Sequence, residues 1–341
     1  MVGCCRRIIA CSHSVPYGYV SCYMILPSLK QALISCSLAE IDFSDRSFPF
    51  SYGFPPDSFV ASVNQAGILV PPLLRPGSRG YVIVCGRRRL EAARRTMDEK
   101  KEIPALLAAE DESKRQLFAL AFWDNIAHRS LNPVEVADVV VALEDLFDER
   151  TVQNDFLPRL GVPPKPRFLR RCRAIARLPE SARALLARGK MDGETVDLLG
   201  RWQVEEVDRL VSMAEKVSVN RNKLKEIVAL TTDLAGRDRT SPAELLSLIA
   251  EQHPECLESA AAWRQQLEEW MYPFLTTAED RFQVWHQSLP LTKNMKIVPP
   301  PAFEGSTYTL QVNFRDAGQW QAAVERLTSL EVEKIHELFS R

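Results

Sequence analysis

Tyr81-Val-Ile-Val-Cys-Gly-Arg-Arg-Arg-Leu-Glu-Ala-Ala93 is the stretch on which the fold turns. The apolar, β-branched run from Tyr81 to Val84 predicts a strand, and Gly86 ends it. Arg87 onward reads as a helix with Leu90, Ala93 and Met97 on its buried side. Backbone N–H groups at a helix start favour an anion, and guanidinium groups add bidentate phosphate contacts. Successive helical residues point about 100° apart, so Arg87, Arg88 and Arg89 do not all face one ligand. On charge alone, a solvated basic face that merely keeps the helix soluble remains the alternative.

Upstream, Ser58 to Gly67 has a helical spacing at Phe59, Val63 and Ala66, closed by a glycine. Ile68 to Leu74 reads as a strand, turned into the next by Arg75-Pro-Gly-Ser-Arg-Gly80. Downstream, Ile103 to Leu107 is a strand, and Lys114 to Ile126 a helix with Leu117, Leu120 and Ala121 inward. This block alternates strand and helix and is α/β. From Asn132 strands vanish. Asn132-Pro-Val-Glu135 supplies a cap, a proline and an early acid for a helix reaching Phe147. Thr151–Leu160 and Pro164–Ala176 flank Gly161 as helix, turn, helix. Ser181–Arg188, Gly193–Gly200 and Val204–Ala214 continue the helical array. Gly236-Arg-Asp-Arg-Thr-Ser-Pro242 reads as a polar linker. Beyond it come helices to Met271, strands at Lys296–Val298 and Tyr308–Phe314, and a helix from Gln319 to Leu330. The expected fold class is α+β multidomain: a small α/β domain, an all-α helix-turn-helix domain, and a helical and small α/β C-terminal module.

A length of 341 residues suits two or three domains, and 46% hydrophobic with 26% charged residues is ordinary for a globular chain. No apolar run approaches the roughly 20 residues of a spanning helix, so no membrane partner is expected. The formal charge of −1 is an average. Residues 75–190 hold 23 basic and 16 acidic side chains, whereas residues 241–341 hold 8 and 14. Of eight cysteines, Cys4, Cys5, Cys11, Cys22 and Cys36 lie near the start, no CxxC pair occurs, and no histidine is read at a metal-ligand spacing from a cysteine. Neither a zinc site nor a disulfide framework is expected, and the body reads as reduced and cytoplasmic. Ser12-His-Ser14 interrupts the apolar run Ile8–Cys11 before it reaches secretory length. Residues 1–37 are therefore expected to be a disordered extension, with Met24 as an alternative start.

The strongest basic excess is at 159–190, where ten Lys and Arg face one acid, Glu180. Leu169, Cys172, Ile175 and Ala176 form a buried stripe at helical period. Lys165, Arg167, Arg170 and Arg171 are left outside, where phosphate neutralisation or base contact can occur. A second helix of a helix-turn-helix is the one that enters the major groove of double-stranded DNA.

Three motifs carry a resemblance. Gly86-Arg-Arg-Arg-Leu-Glu-Ala92 resembles the GERRxRA box of the ParB chromosome-partitioning family. Asp124-Asn-Ile-Ala-His-Arg-Ser-Leu-Asn-Pro-Val-Glu135 resembles its ENIQRxxLNPIE segment, and Gly67-Ile-Leu-Val-Pro-Pro-Leu73 its GIxxPxxV strand entry. The resemblance extends over residues 38–215. It implies a ParB/sulfiredoxin-like domain at 38–130 that binds CTP with Mg²⁺, a helix-turn-helix domain at 131–235, and a C-terminal module at 236–341 able to dimerise. By matched position Gly86, Arg87, Arg88, Arg89 and Arg129 are implied nucleotide contacts, and Asp124 and Asn125 serve the metal or a hydrolytic water. Lys165, Arg167, Arg170, Arg171 and Arg173 are the implied DNA contacts. The family further implies a homodimeric, nucleoid-associated clamp that works with a ParA-type ATPase and is at most a weak CTPase. Two other readings stay open: a ParB-like regulator or nucleoid protein without nucleotide switching, and a ParB-like nuclease, for which only Glu91 and Asp124 offer carboxylates near the box.

The sequence also departs from the family. Arg87 replaces the box glutamate, Glu91 a box arginine, and Ala127-His128 a Gln-Arg pair, with Arg129 one place late. Pro163, Pro164 and Pro166 crowd the expected recognition helix, where prolines donate no N–H to a phosphate. Met191-Asp-Gly-Glu-Thr-Val-Asp197 stands where the family has a stretch ending in arginine. Cys85 reads as a small buried residue, and Trp263, Trp270, Trp285 and Trp320 as core or interface anchors.

Overall fold

The computed structural model describes residues 30–329. They fall into two compact units, one of residues up to 48 with 54–128, the other of 49–53 with 129 onward.

In the first unit a five-stranded sheet runs β1 (Gln31–Ser37), β5 (Glu102–Ala108), β3 (Leu73–Gly77), β4 (Gly80–Cys85), β2 (Ile41–Asp42) in spatial order. β1 is antiparallel to β5, β5 parallel to β3, β3 antiparallel to β4, and β4 parallel to β2. Helices α1 (Asp57–Ala66), α2 (Arg87–Thr96) and α3 (Lys114–His128) complete the unit. The core joins Leu74 and Ile83 of the sheet to Leu90, Ala92 and Ala93 of α2, with Met97 packed against it. The alternation read from the sequence is therefore present, and Leu90 and Ala93 face inward.

Two strand boundaries differ from the expectation. Residues 31–37, assigned above to an extension, form a full edge strand paired from Gln31↔Ala108 to Ser37↔Glu102. Ile34, Cys36 and the following Leu38 alternate into the core, but the run is short and the exposed Leu33 blurs it. The rest of that expected extension, residues 1–29, lies outside the described residues. β3 begins at Leu73 rather than Ile68, because Pro71 and Pro72 have no N–H to give a ladder.

In the second unit, α4 (Pro133–Leu146) starts at the expected cap: Asn132 accepts from Val134 and Glu135 N–H, and Glu135 accepts in return from Asn132 N–H. A short α5 (Glu149–Thr151) continues through a π-turn and a 3-10 turn to Leu160. Gly161 follows at φ +69°, a left-handed conformation that reverses the chain. Then come α6 (Pro166–Arg177), α7 (Glu180–Ala187), α8 (Gly193–Leu199) and α9 (Val204–Lys216). Helix α6 lies on α4, burying Leu169, Cys172 and Ile175, the anticipated stripe.

The expected linker at 236–242 is largely helix. α10 (Arg221–Asp238) runs through Gly236, and α11 (Pro242–Gln252) restarts three residues later behind a Ser241 capping box. A polar surface and one glycine imitated a linker, but Leu224, Ile227, Val228, Thr231, Leu234 and Ala235 hold α10 in the core. α10 packs on α12 (Ala260–Met271), so the third expected part is continuous with the second. α13 (Pro273–Ser288), a hairpin of β6 (Met295–Val298) and β7 (Thr309–Val312), and α14 (Ala317–Thr328) follow. Trp263 and Trp285 are core residues as anticipated, while Trp320 is half exposed beside Phe314.

Candidate phosphate and nucleic-acid interfaces

The turn between β4 and α2 is built around Gly86, at φ +90° and ψ +15°. A Cβ there would meet Pro72 Cβ at 3.0 Å and Pro72 Cα at 3.1 Å, so both backbone strain and space demand glycine. Gly86 carbonyl accepts from Arg89 and Leu90 N–H, which leaves the Arg87 and Arg88 N–H groups at the helix mouth without an intrahelical acceptor.

The three arginines part company at this turn. Arg87 is only 7% exposed; its guanidinium donates to the Phe43 carbonyl at 3.0 Å and to the Asp45 carbonyl, and lies 3.6 Å from Glu91. Burial presses its pKa below the usual arginine value. Arg87 is thus spent on holding the 43–45 segment, and it does not join the exposed set of phosphate candidates. Arg88 is half-buried, with its guanidinium over the Phe59 ring at 5.8 Å. Arg89 donates to the Val70 carbonyl, tying the Gly67–Pro72 segment to the helix start.

Asp124 reaches the same turn from α3. Its carboxylate charge acts on the Cys85 thiol, which burial first and Asp124 second push up to about 12. Gly86, Arg89, Cys85 and Asp124 are therefore one neighbourhood, although 38 positions separate Gly86 from Asp124 in sequence. Asp124 is also 3.6 Å from the His128 ring, whose Nδ1 sits 2.7 Å from the Asp124 carbonyl oxygen. Asn125 donates its amide to the Ala121 carbonyl at 2.9 Å, leaving its side-chain oxygen as the atom suited to a hard cation. Arg129 belongs to the second unit, where it pairs with Glu135 at 2.7 Å and donates to the Phe50 carbonyl. There it anchors the start of α4, since Glu135 also accepts from Tyr52 N–H at 3.0 Å.

On α6 the five expected DNA contacts divide again. Lys165, at the helix cap, and Arg170 are exposed, and neither has an acidic partner among the described residues. Arg167 and Arg171 converge on Asp197 of α8: Arg171 donates at 2.9 and 2.5 Å, Arg167 at 3.2 and 3.0 Å. Arg173 forks onto Glu144 of α4 at 2.9 and 2.7 Å. Hydrogen bonds from Arg171 hold the Asp197 carboxyl well below the usual carboxylate range, with Arg167 assisting. Pro72, Asp197 and Glu144 were not legible as part of either site, since only the tertiary fold brings them there. One clue exists for Asp197: a charge reversed from the family's arginine invites a basic partner.

A left-handed glycine opening a basic helix on a small mixed sheet, followed by a helical unit with a cationic α6, defines a two-unit α/β protein arranged to meet phosphate. No protein-family model matches the chain. It is 30% identical over 195 residues to the chromosome-partitioning protein Spo0J of Thermus thermophilus, covering 56% of this chain and 67% of that one. It is 29% identical over 168 residues to stage 0 sporulation protein J of Bacillus subtilis, covering 49% of this chain. The match spans just over half the length of the Bacillus relative, 57%. The crystal structure of C-terminally truncated ParB from Caulobacter crescentus with its centromeric parS site aligns over 57% of this chain and 98% of that chain, at 14% identity and a TM-score of 0.29. The chain belongs to the ParB family of chromosome-partitioning proteins, as a divergent member.

Proposed function

We propose that the chain is a DNA-binding partition protein that works as a homodimeric clamp on double-stranded DNA and responds to CTP. The observation that carries this reading is the Gly86 turn, which leaves the Arg87 and Arg88 N–H groups without intrahelical acceptors and has Asp124 in the same neighbourhood. The donor set suits a nucleotide: N–H groups and guanidinium for phosphate, and the Asp124 carboxylate with the Asn125 amide oxygen for Mg²⁺. CTP would bring the triphosphate charge that these groups neutralise. Arg88 would hold the phosphates, Arg89 would keep the Gly67–Pro72 segment against them, and Asp124 would orient the cation. Lys165 and Arg170 would neutralise DNA phosphates from α6, with Arg167, Arg171 and Arg173 held in reserve by their acids. The partners of this reading are double-stranded DNA, a second copy and a ParA-type ATPase, within the nucleoid.

A second reading, a regulator or nucleoid protein without nucleotide switching, is favoured by Arg89 and Arg129 already being bonded to Val70, Phe50 and Glu135. The nuclease reading loses support because Glu91 is engaged by Arg87, which leaves no carboxylate cluster around the box among the described residues. Calorimetric titration with CTP and Mg²⁺, alone and with genomic DNA fragments retained by the protein, separates these. Saturable CTP binding abolished by Arg88→Ala is expected. DNA binding without CTP binding would select the second reading, and no DNA binding at low salt would sink both. Supercoiled plasmid incubated with Mg²⁺ or Mn²⁺ is expected to stay unnicked.

A further inference from the structure

A separate group of side chains in the second unit has metal-ligand chemistry. His253 ends α11, and Pro254–Glu258 forms a 3-10 turn leading to α12. An imidazole nitrogen of His253, a carboxylate oxygen of Glu255 and the thiol of Cys256 all lie within 4.8 Å of one another. His253-x-x-Cys256 is itself a metal-ligand spacing, which corrects the expectation that no histidine stands at such a distance from a cysteine.

The surroundings favour a cation. Cys256 is buried, 6% exposed, and its thiol donates to Gln266 Oε1 on α12 at 3.5 Å. Gln266 donates in turn to Glu269 at 3.4 Å, so a second carboxylate stands behind the sulfur. No Lys or Arg pairs with Glu255 or Glu269 among the described residues; Arg264, on the same helix, is committed to Glu226 and Glu268. His253 Nδ1 is 3.3 Å from Glu255 Oε1, and its ring is set edge-on against Trp270 at 5.5 Å.

We propose that His253, Glu255 and Cys256 bind one divalent transition-metal ion, zinc by the softness of the set, and so staple the turn between α11 and α12. One thiolate, one imidazole and one carboxylate suit Zn²⁺, with Gln266, Glu269 or water completing four-coordination. Zn–S of about 2.3 Å and Zn–N of about 2.0 Å place tetrahedral ligand atoms roughly 3.5 Å apart. Cys256 is the buried, fixed donor, and side-chain rotation of the more exposed His253 and Glu255 closes the remaining distance. Binding displaces the thiol proton to solvent, because a coordinating thiol is deprotonated.

The test uses the full chain, reduced and stripped with chelator, titrated with Co²⁺ and then Zn²⁺. A thiolate-to-cobalt charge-transfer band that saturates and is displaced by Zn²⁺ is expected. Because the chain has other cysteines, the reading is the difference between the native protein and Cys256→Ser, which loses this component. His253→Gln, at a half-exposed position, also loses it while circular dichroism stays native. It also loses the rise in Tm that Zn²⁺ gives the native protein. Titrations of the native chain and His253→Gln that coincide, or a native chain with no such band, overturn the site.

Discussion

Arg87 and Glu91, one turn apart on α2, form a buried ion pair at 3.6 Å in the two positions where the family box carries glutamate and arginine. Two departures that looked independent in the sequence are one reciprocal charge exchange. The two positions exchange charge, so the helix start carries the same net charge as the family motif at these positions. Arg87→Glu sets a second carboxylate beside Glu91 in a site 7% exposed, and leaves the Phe43 and Asp45 carbonyls without their donor. Breaking a buried pair this way costs about 3–5 kcal/mol. Glu91→Arg added to it is expected to restore part of the loss, with a coupling of about 1–3 kcal/mol in a double-mutant cycle by urea unfolding. Strict additivity of the two substitutions would show that the pair is incidental.

Asp197 is the hinge of the α6 surface, since it holds Arg167 and Arg171 together. Its folded pKa lies below its unfolded value, so its contribution to stability is complete above the ordinary carboxylate range. That contribution is lost as pH falls through the folded value. The acid limb of a Tm-against-pH profile is therefore expected to be shallower in Asp197→Asn than in the native protein. The same substitution releases two guanidinium groups. DNA affinity should rise, and the plot of log K against log salt should steepen by up to about two, at about 0.9 per added phosphate contact. Unchanged affinity and slope would mean that Arg167 and Arg171 do not reach DNA.

Much of the first unit was legible because its signals are local. A β-branched strand, a glycine and an amphipathic helix sit in thirteen consecutive residues, and the structure places β4, Gly86 and α2 there. The α4 cap was legible for the same reason. Strand β1 was not, because its inward alternation at Ile34 and Cys36 is short and the exposed Leu33 blurs it. The α10 helix was hidden by Gly236, whose helical cost of about 1 kcal/mol is met by the packing of its neighbours. Charge counting showed where the basic residues are but not which are spent: Arg87, Arg129 and Arg173 are each answered by an acid or carbonyl that only the fold brings near.

That division gives the helix α6 residues unequal weight. Lys165→Ala and Arg170→Ala are each expected to weaken DNA binding and to lower the salt slope by about 0.9. Arg173→Ala should leave the slope nearly unchanged, because its fork is held by Glu144, while Tm falls slightly. Binding to a fixed DNA duplex by fluorescence anisotropy across a salt series reads all three. Equal slopes for the three variants would place Arg173 on the DNA as firmly as Lys165.

Thiol chemistry separates structural cysteines from reactive ones. Burial pushes Cys36 up to about 11, and Cys85 and Cys172 up to about 12. Only the thiolate attacks an alkylating reagent, so at pH 8 these three are expected to stay unmodified in the folded chain and to react at once in denaturant. The sign for stability follows: above the ordinary cysteine value the unfolded chain releases protons that the folded chain retains. The folded state therefore loses stability as pH rises beyond about 9. Peptide mapping after iodoacetamide treatment reads the protection site by site. Rapid native labelling of Cys85 would mean that the Gly86 turn opens to solvent.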